Sequence, residues 1–208
     1  MEEFKSKIFY LKKKVIFPGC NLTVTLKHSN FTKNLETGTK IVALPIRSAF
    51  SIFLQRKKIA TLSEIVDLKS DKNTINIELK GLMRVHIIKI FELQEAQFHA
   101  IPNPLIKDEI LIETIRKKTQ QLIFLINVNE SDKLINLLNY LVDIYQLTDF
   151  ISNYFVIDFH SRLKLLKETK VTNRVKILLK LMDTLIIKMN KRIPSMKKKV
   201  QHNDALYE

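Results

Sequence analysis

The chain has 208 residues and a mass of 24.4 kDa, of which 46% are hydrophobic and 27% charged. That is room for one domain or two closely packed lobes at about 100–200 residues per domain, with an ordinary globular balance that excludes a disordered, collagenous or low-complexity chain. The formal net charge is +14, large enough to raise acidic partners as a question and too diffuse to answer it: residues 1–104 carry 17 basic and 9 acidic side chains, residues 105–208 carry 18 and 12.

The first half reads as β structure. Lys7–Leu11 and Val15–Phe17 are short β-prone runs, and in Asn21–Leu26 the apolar Leu22, Val24 and Leu26 alternate with Asn21, Thr23 and Thr25, the period of a half-buried strand. Ser29–Leu35 has the length of one short helix. Lys40–Ile46 is a compact apolar run. Ile59–Leu68 and Thr74–Phe91 are longer strands joined through Lys69-Ser70-Asp71-Lys72-Asn73, where Asn73 suits the left-handed backbone of a tight turn. Gly81 interrupts the second of these and predicts a bulge.

After Pro102-Asn103-Pro104 the period lengthens to 3.6. Asp108–Ile126 sets Ile112, Ile115, Leu122, Ile123 and Ile126 near one stripe, with Asp108 and Glu109 in the first turn, where the helix dipole favours acids. Ser131–Tyr145 is a second helix with Leu134, Leu137, Leu138, Leu141 and Ile144 inward. Thr148–Phe155 and Ser161–Lys167 are shorter helices. Val171–Lys191 is a long helix that Pro194 is expected to break or kink. The whole is an α+β chain: a β-rich lobe over 1–104, a helical lobe over 105–192, and a basic tail over 193–208 whose lysines and scarce apolar residues predict mobility. No apolar run approaches the roughly 20 residues that span a bilayer. Ile177–Ile187 holds Lys180 and Asp183 and reads as a buried helix, so a soluble, cytoplasmic protein without membrane contact is expected.

Catalytic chemistry finds little to work with. A phosphate-cradling loop needs a second Gly five residues after the first, yet the residues at that distance from Gly19, Gly38 and Gly81 are Val24, Ala43 and His86. One cysteine, Cys20, excludes an intramolecular disulfide and a thiolate zinc cluster, and nothing around it matches a nucleophile signature. The five histidines, at 28, 86, 99, 160 and 202, show no close ligand spacing. No catalytic residue, metal site or cofactor is therefore expected. The basic clusters Lys12–Lys14 and Lys188–Lys199 fit either a solvated surface or contact with nucleic acid, lipid or an acidic partner. The ratio of 28 Lys to 7 Arg weighs against sequence-specific base reading, which favours Arg.

Several segments, taken together, resemble one family. Tyr10-Leu11-Lys12-Lys13-Lys14-Val15-Ile16-Phe17-Pro18-Gly19 resembles the opening strand and Phe-Pro-Gly turn of the Lon protease N-terminal domain. Ala60-Thr61-Leu62-Ser63-Glu64-Ile65 resembles its Gly-Thr-Val/Leu-Ala-x-Ile strand, and Asn73–Val85 its hairpin with the Gly-x-x-Arg signature at Gly81 and Arg84. Thr148-Asp149-Phe150-Ile151, Lys164-Leu165-Leu166-Lys167-Glu168 and Val171-Thr172-Asn173-Arg174-Val175 follow in the family's order. The resemblance spans about residues 8–192. Ala60 and Asn73 stand where the family carries Gly, and the Pro-Leu and Glu-Pro pairs after the Phe-Pro-Gly turn are missing.

The resemblance implies a PUA-like β lobe followed by a helical lobe, recognising unfolded or damaged polypeptides. In full-length members an ATPase and a Ser–Lys protease follow, so the expected protein is a non-enzymatic recognition module, stand-alone or truncated, with a protease or chaperone partner. A nucleic-acid-binding module and the remnant of a decayed Lon protease are the alternatives. For the client contact, Phe50-Ser51-Ile52-Phe53-Leu54 offers Phe50, Ile52, Phe53 and Leu54, because an apolar loop suits promiscuous recognition; burial in the core is the competing role for the same residues.

Overall fold

The computed structural model describes residues 2–29, 32, 35–50, 58–104, 106, 108–126 and 131–204, with side chains up to Asn190 apart from Ser131. Six strands come first: β1 (Phe4–Lys12), β2 (Asn21–Lys27), β3 (Lys40–Ile46), β4 (Ile59–Ser70), β5 (Thr74–Phe91) and β6 (Glu95–Ala100). Five helices follow: α1 (Glu109–Ile126), α2 (Ser131–Tyr140), α3 (Ile144–Phe155), α4 (Phe159–Lys167) and α5 (Val171–Asp204). The chain forms two compact units, residues 1–105 with 148–170, and residues 106–147 with 171–208. A single boundary at residue 104 does not describe this grouping, because α3 from Thr148 onward and all of α4 cluster with the strands.

In the first unit the sheet runs β2-β5-β4-β3-β1-β6, and β6 pairs again with β5, so five strands close into a barrel and β2 stands outside the ring. β1 and β3 are parallel; every other pairing is antiparallel. The long β5 makes this possible. Its first part, Thr74–Lys80, pairs with β2, and its last part, Val85–Phe91, pairs with β6. The change of partner falls at Gly81, where the register against β4 slips between Leu62 and Ser63, the expected bulge. A Cβ on Gly81 would lie 2.2 Å from the Phe17 carbonyl oxygen, so only glycine fits.

Alternation along the strands divides the core. Ile8, Val42, Leu44, Ile46, Ala60, Val85, Ile87, Ala96 and Phe98 come from all five ring strands and fill the barrel. Phe9, Leu11, Val24, Ile41, Ala43, Ile65, Ile75, Ile77 and Leu79 point the other way and are joined by Ile16 and Leu35 from the connections. Val15–Phe17, expected as a strand, is instead a buried connection without sheet pairing. β6 has no counterpart in the sequence reading. The turn before it places Glu92 at φ 46° and Leu93 at φ 57°, left-handed positions usually marked by Gly or Asn. The short helix expected over Ser29–Leu35 lies largely outside the described residues.

In the second unit α1 buries Ile115, Thr119, Leu122 and Ile123, while Ile126 at its end is exposed. The hydroxyl of Thr119 donates to the Ile115 carbonyl at 2.7 Å and lies 3.5 Å from the Met182 sulfur, joining α1 to α5. α5 buries Val171, Val175, Leu178, Met182 and Ile186, and fully buried Arg174 sets its guanidinium 5.4 Å from the Tyr145 ring centre. The helix expected over Ser131–Tyr145 is two. Asp143 accepts hydrogen bonds from the Tyr145 and Gln146 amides at 2.6 and 3.3 Å and so caps α3, which ends the run begun by α2. α5 continues through Pro194 to Asp204, where a break was expected: a proline removes one helical hydrogen bond, and the helix tolerates that loss.

Candidate functional site

Of the apolar loop residues singled out in the sequence, Phe50 lies just past β3 and is 70% exposed, so it is no part of the core. Ile52, Phe53 and Leu54 lie outside the described residues. The contrast with β3 is sharp: Ile41 to Ile46 are all buried, and four residues later an aromatic ring stands in water. Met83, Ile88, Tyr154 and Ile157 of the same unit are also exposed apolar side chains.

The same unit holds a buried polar centre. Arg84 leaves β5 three residues after the Gly81 bulge and forms a two-pronged ion pair with Asp149 of α3, at 2.6 and 2.5 Å. Its Nε donates to the Leu166 carbonyl of α4 at 3.2 Å. Arg162 of α4 donates to the Val15 carbonyl at 2.9 Å and to Asn153 Oδ1 at 2.8 Å, with its guanidinium 5.5 Å from the Phe17 ring centre. Two arginines thus tie α3, α4 and the connection before β2 to the barrel. The planar guanidinium suits this task because one group satisfies a carboxylate and a carbonyl in fixed directions.

Cys20 lies against this centre, its thiol directed at the Asp149 carbonyl at 3.8 Å. Burial, and secondarily the Asp149 charge, push the thiol up to about 12, against the opposing pull of Arg162 and Arg84. A thiol held protonated at neutral pH is no nucleophile. Burial also lowers the pKa of Arg162. His86 and His99 face each other across β5 and β6 with ring centres 5.0 Å apart, and among the described residues no group of three or more His, Cys, Asp or Glu gathers to hold a metal ion. The centre has the chemistry of a clamp rather than of a reaction site.

Residues 5–184 match the family model of the ATP-dependent protease La (LON) substrate-binding domain. The chain belongs to that family. Solved structures agree on the fold. The N-terminal domain of the Mycobacterium avium complex Lon protease superposes with a TM-score of 0.67 at 14% identity, covering 86% of this chain and 98% of that one. A Lon N-terminal domain protein from Xanthomonas campestris gives 0.58 at 13% identity, covering 85% and 97%. No curated protein matches the sequence. As a Lon substrate-binding domain the chain is a substrate-recognition module, and the clamp links two of the segments that carry the resemblance, Gly81–Arg84 and Thr148–Ile151. The sequence held a signal for that link, one charge inside each of two apolar runs, but not the pairing of the two.

Proposed function

We propose that this Lon substrate-binding domain binds exposed apolar segments of unfolded or damaged polypeptides in the cytoplasm, without ATPase or peptidase activity of its own, and passes them to a protease or chaperone partner. The observation that carries the reading is the exposed ring of Phe50 beside the buried β3. An aromatic side chain exposed to water recovers apolar contact when a client segment covers it. Family membership supports the substrate class, and no helix among the described residues is long and apolar enough to cross a membrane.

The test is binding of fluorescein-labelled, reduced and carboxymethylated α-lactalbumin, read by anisotropy, with native α-lactalbumin as control. The unfolded form binds and the native form does not. Phe50→Ser weakens binding at least severalfold while circular dichroism is unchanged, and adding Phe53→Ser weakens it further. Equal binding of both forms, or loss of fold in Phe50→Ser, refutes the reading.

A further inference from the structure

β2 is paired on one side only. Its seven residues match β5 from Asn21 opposite Lys80 to Lys27 opposite Thr74, and among the described residues nothing pairs with its other edge. The hydrogen-bond phase says which groups point there. The Gly81 amide donates to the Cys20 carbonyl at 2.9 Å and the Gly81 carbonyl accepts from the Gly19 amide at 2.8 Å, so Gly81 turns both its groups toward the β2 side. Alternation along an antiparallel ladder then turns Leu22, Val24 and Leu26 toward β5, and leaves the amides and carbonyls of Asn21, Thr23, Thr25 and Lys27 facing outward. The Thr23 carbonyl agrees: it accepts from the Lys14 ammonium at 3.3 Å, on the side away from β5. Leu22 and Leu26 are only partly buried at the rim of the core, so an added strand would also cover apolar surface.

The charges around this edge select its occupant. Lys14, reaching the Thr23 carbonyl, and Lys27, within β2 itself, are both exposed at this edge, and Glu78, the acid opposite Thr23 on β5, is engaged by the Asn21 amide at 2.9 Å. Lysines along a strand edge repel a second strand of like charge, which disfavours a second copy of a chain carrying +14. The same lysines attract carboxylates. We infer that the free edge of β2 receives an extended, acidic segment of the client polypeptide as an added antiparallel or parallel strand, with a client carboxylate drawing Lys14 away from the Thr23 carbonyl. Main-chain hydrogen bonds supply sequence-tolerant affinity and the lysines supply the preference for acidic segments. This rests on the reading as a client-binding module and names the mode of capture.

The test uses the same carboxymethylated α-lactalbumin, which is unfolded and acidic. Thr25→Pro removes one outward amide and spares the main-chain ladder to β5, a position where an edge strand tolerates proline; Thr25→Val keeps the amide and, like the proline variant, loses the Thr25 hydroxyl's bond to Asn76 Oδ1, so the two differ in the amide. Thr25→Pro is expected to weaken binding at least tenfold with its melting temperature within a few degrees of Thr25→Val, which binds as wild type. Lys14→Glu with Lys27→Glu is expected to weaken it comparably. Hydrogen exchange on the wild-type protein gives an independent readout, in which saturating client slows the amides of Thr23, Thr25 and Lys27. Unchanged binding by a folded Thr25→Pro, or unchanged exchange at those amides, overturns the inference and leaves the client-binding reading standing. Absence of any binding by the wild type overturns both. Protection that is already present in the free protein and rises with its concentration assigns the edge to a second copy and overturns it as well.

Discussion

Asp149→Ala tests the clamp most directly. The two partners are 1% and 2% exposed, so removing the carboxylate leaves the Arg84 guanidinium buried, still donating to the Leu166 carbonyl but without its counter-charge. Breaking a buried pair from one side costs about 3–5 kcal/mol, because the surviving charge keeps its desolvation penalty and loses its attraction. Against a total stability of about 5–15 kcal/mol that is about a fifth or more, and for a chain of this length it lowers the melting temperature by about 6–20 °C. Replacing both partners, Arg84→Met with Asp149→Leu, removes charge and penalty together and is expected to recover most of the loss. Urea unfolding of the wild type, Arg84→Met, Asp149→Leu and the double variant closes the cycle, with Asp149→Ala measured beside them. An Asp149→Ala cost below about 1 kcal/mol, far under that expected of a broken buried pair, or a double variant no more stable than the worse single one, would refute the reasoning.

Gly81→Ala is expected to cost about 3 kcal/mol in urea unfolding, since overpacking is costly and here the new methyl meets a backbone carbonyl that cannot rotate aside. Cys20, buried and with its pKa raised to about 12, is expected to resist iodoacetamide at pH 8 in the folded protein and to react once unfolded, as mass spectrometry will show. The raised value makes the folded state hold the proton longer than the unfolded state, so stability is unaffected below about pH 9 and falls as pH climbs from there toward 12; Cys20→Ala should flatten that fall. Binding of an uncharged apolar peptide through Phe50 is expected to change little between low and high salt, whereas retention on a nucleic-acid column, the behaviour of a phosphate-binding protein, would be lost steeply as salt rises.

What could be read in the sequence was what depends on neighbours along the chain. The alternation of Leu22, Val24 and Leu26 marks β2, the unbroken apolar run marks β3 at its true bounds, and Gly81 marks the bulge. The failures have physical causes of the opposite kind. β6 was hidden because Glu92 and Leu93 hold left-handed conformations without the residues that advertise them. The end of α2 was hidden because Leu138, Leu141 and Ile144 keep a helical period across a break that only the Asp143 cap enforces. Arg84 and Asp149 each lie in a segment that carries the family resemblance, but they are 65 residues apart and no local pattern joins them.

The same distinction explains why the candidate client surface was only half legible. Phe50 is conspicuous as a residue, since an aromatic side chain near an apolar strand invites a binding role or a core role, and exposure alone decides between them. The β2 edge is conspicuous only as topology. Nothing in Asn21–Lys27 says that its pairing is one-sided; that follows from β5 changing partner at Gly81, so that β6 rather than β2 closes the ring. One glycine therefore has two consequences: it lets the Phe17 carbonyl pack against β5, and it ends the β2 pairing where the barrel begins. A strand outside a closed barrel leaves backbone unpaired at the surface without loss of the core.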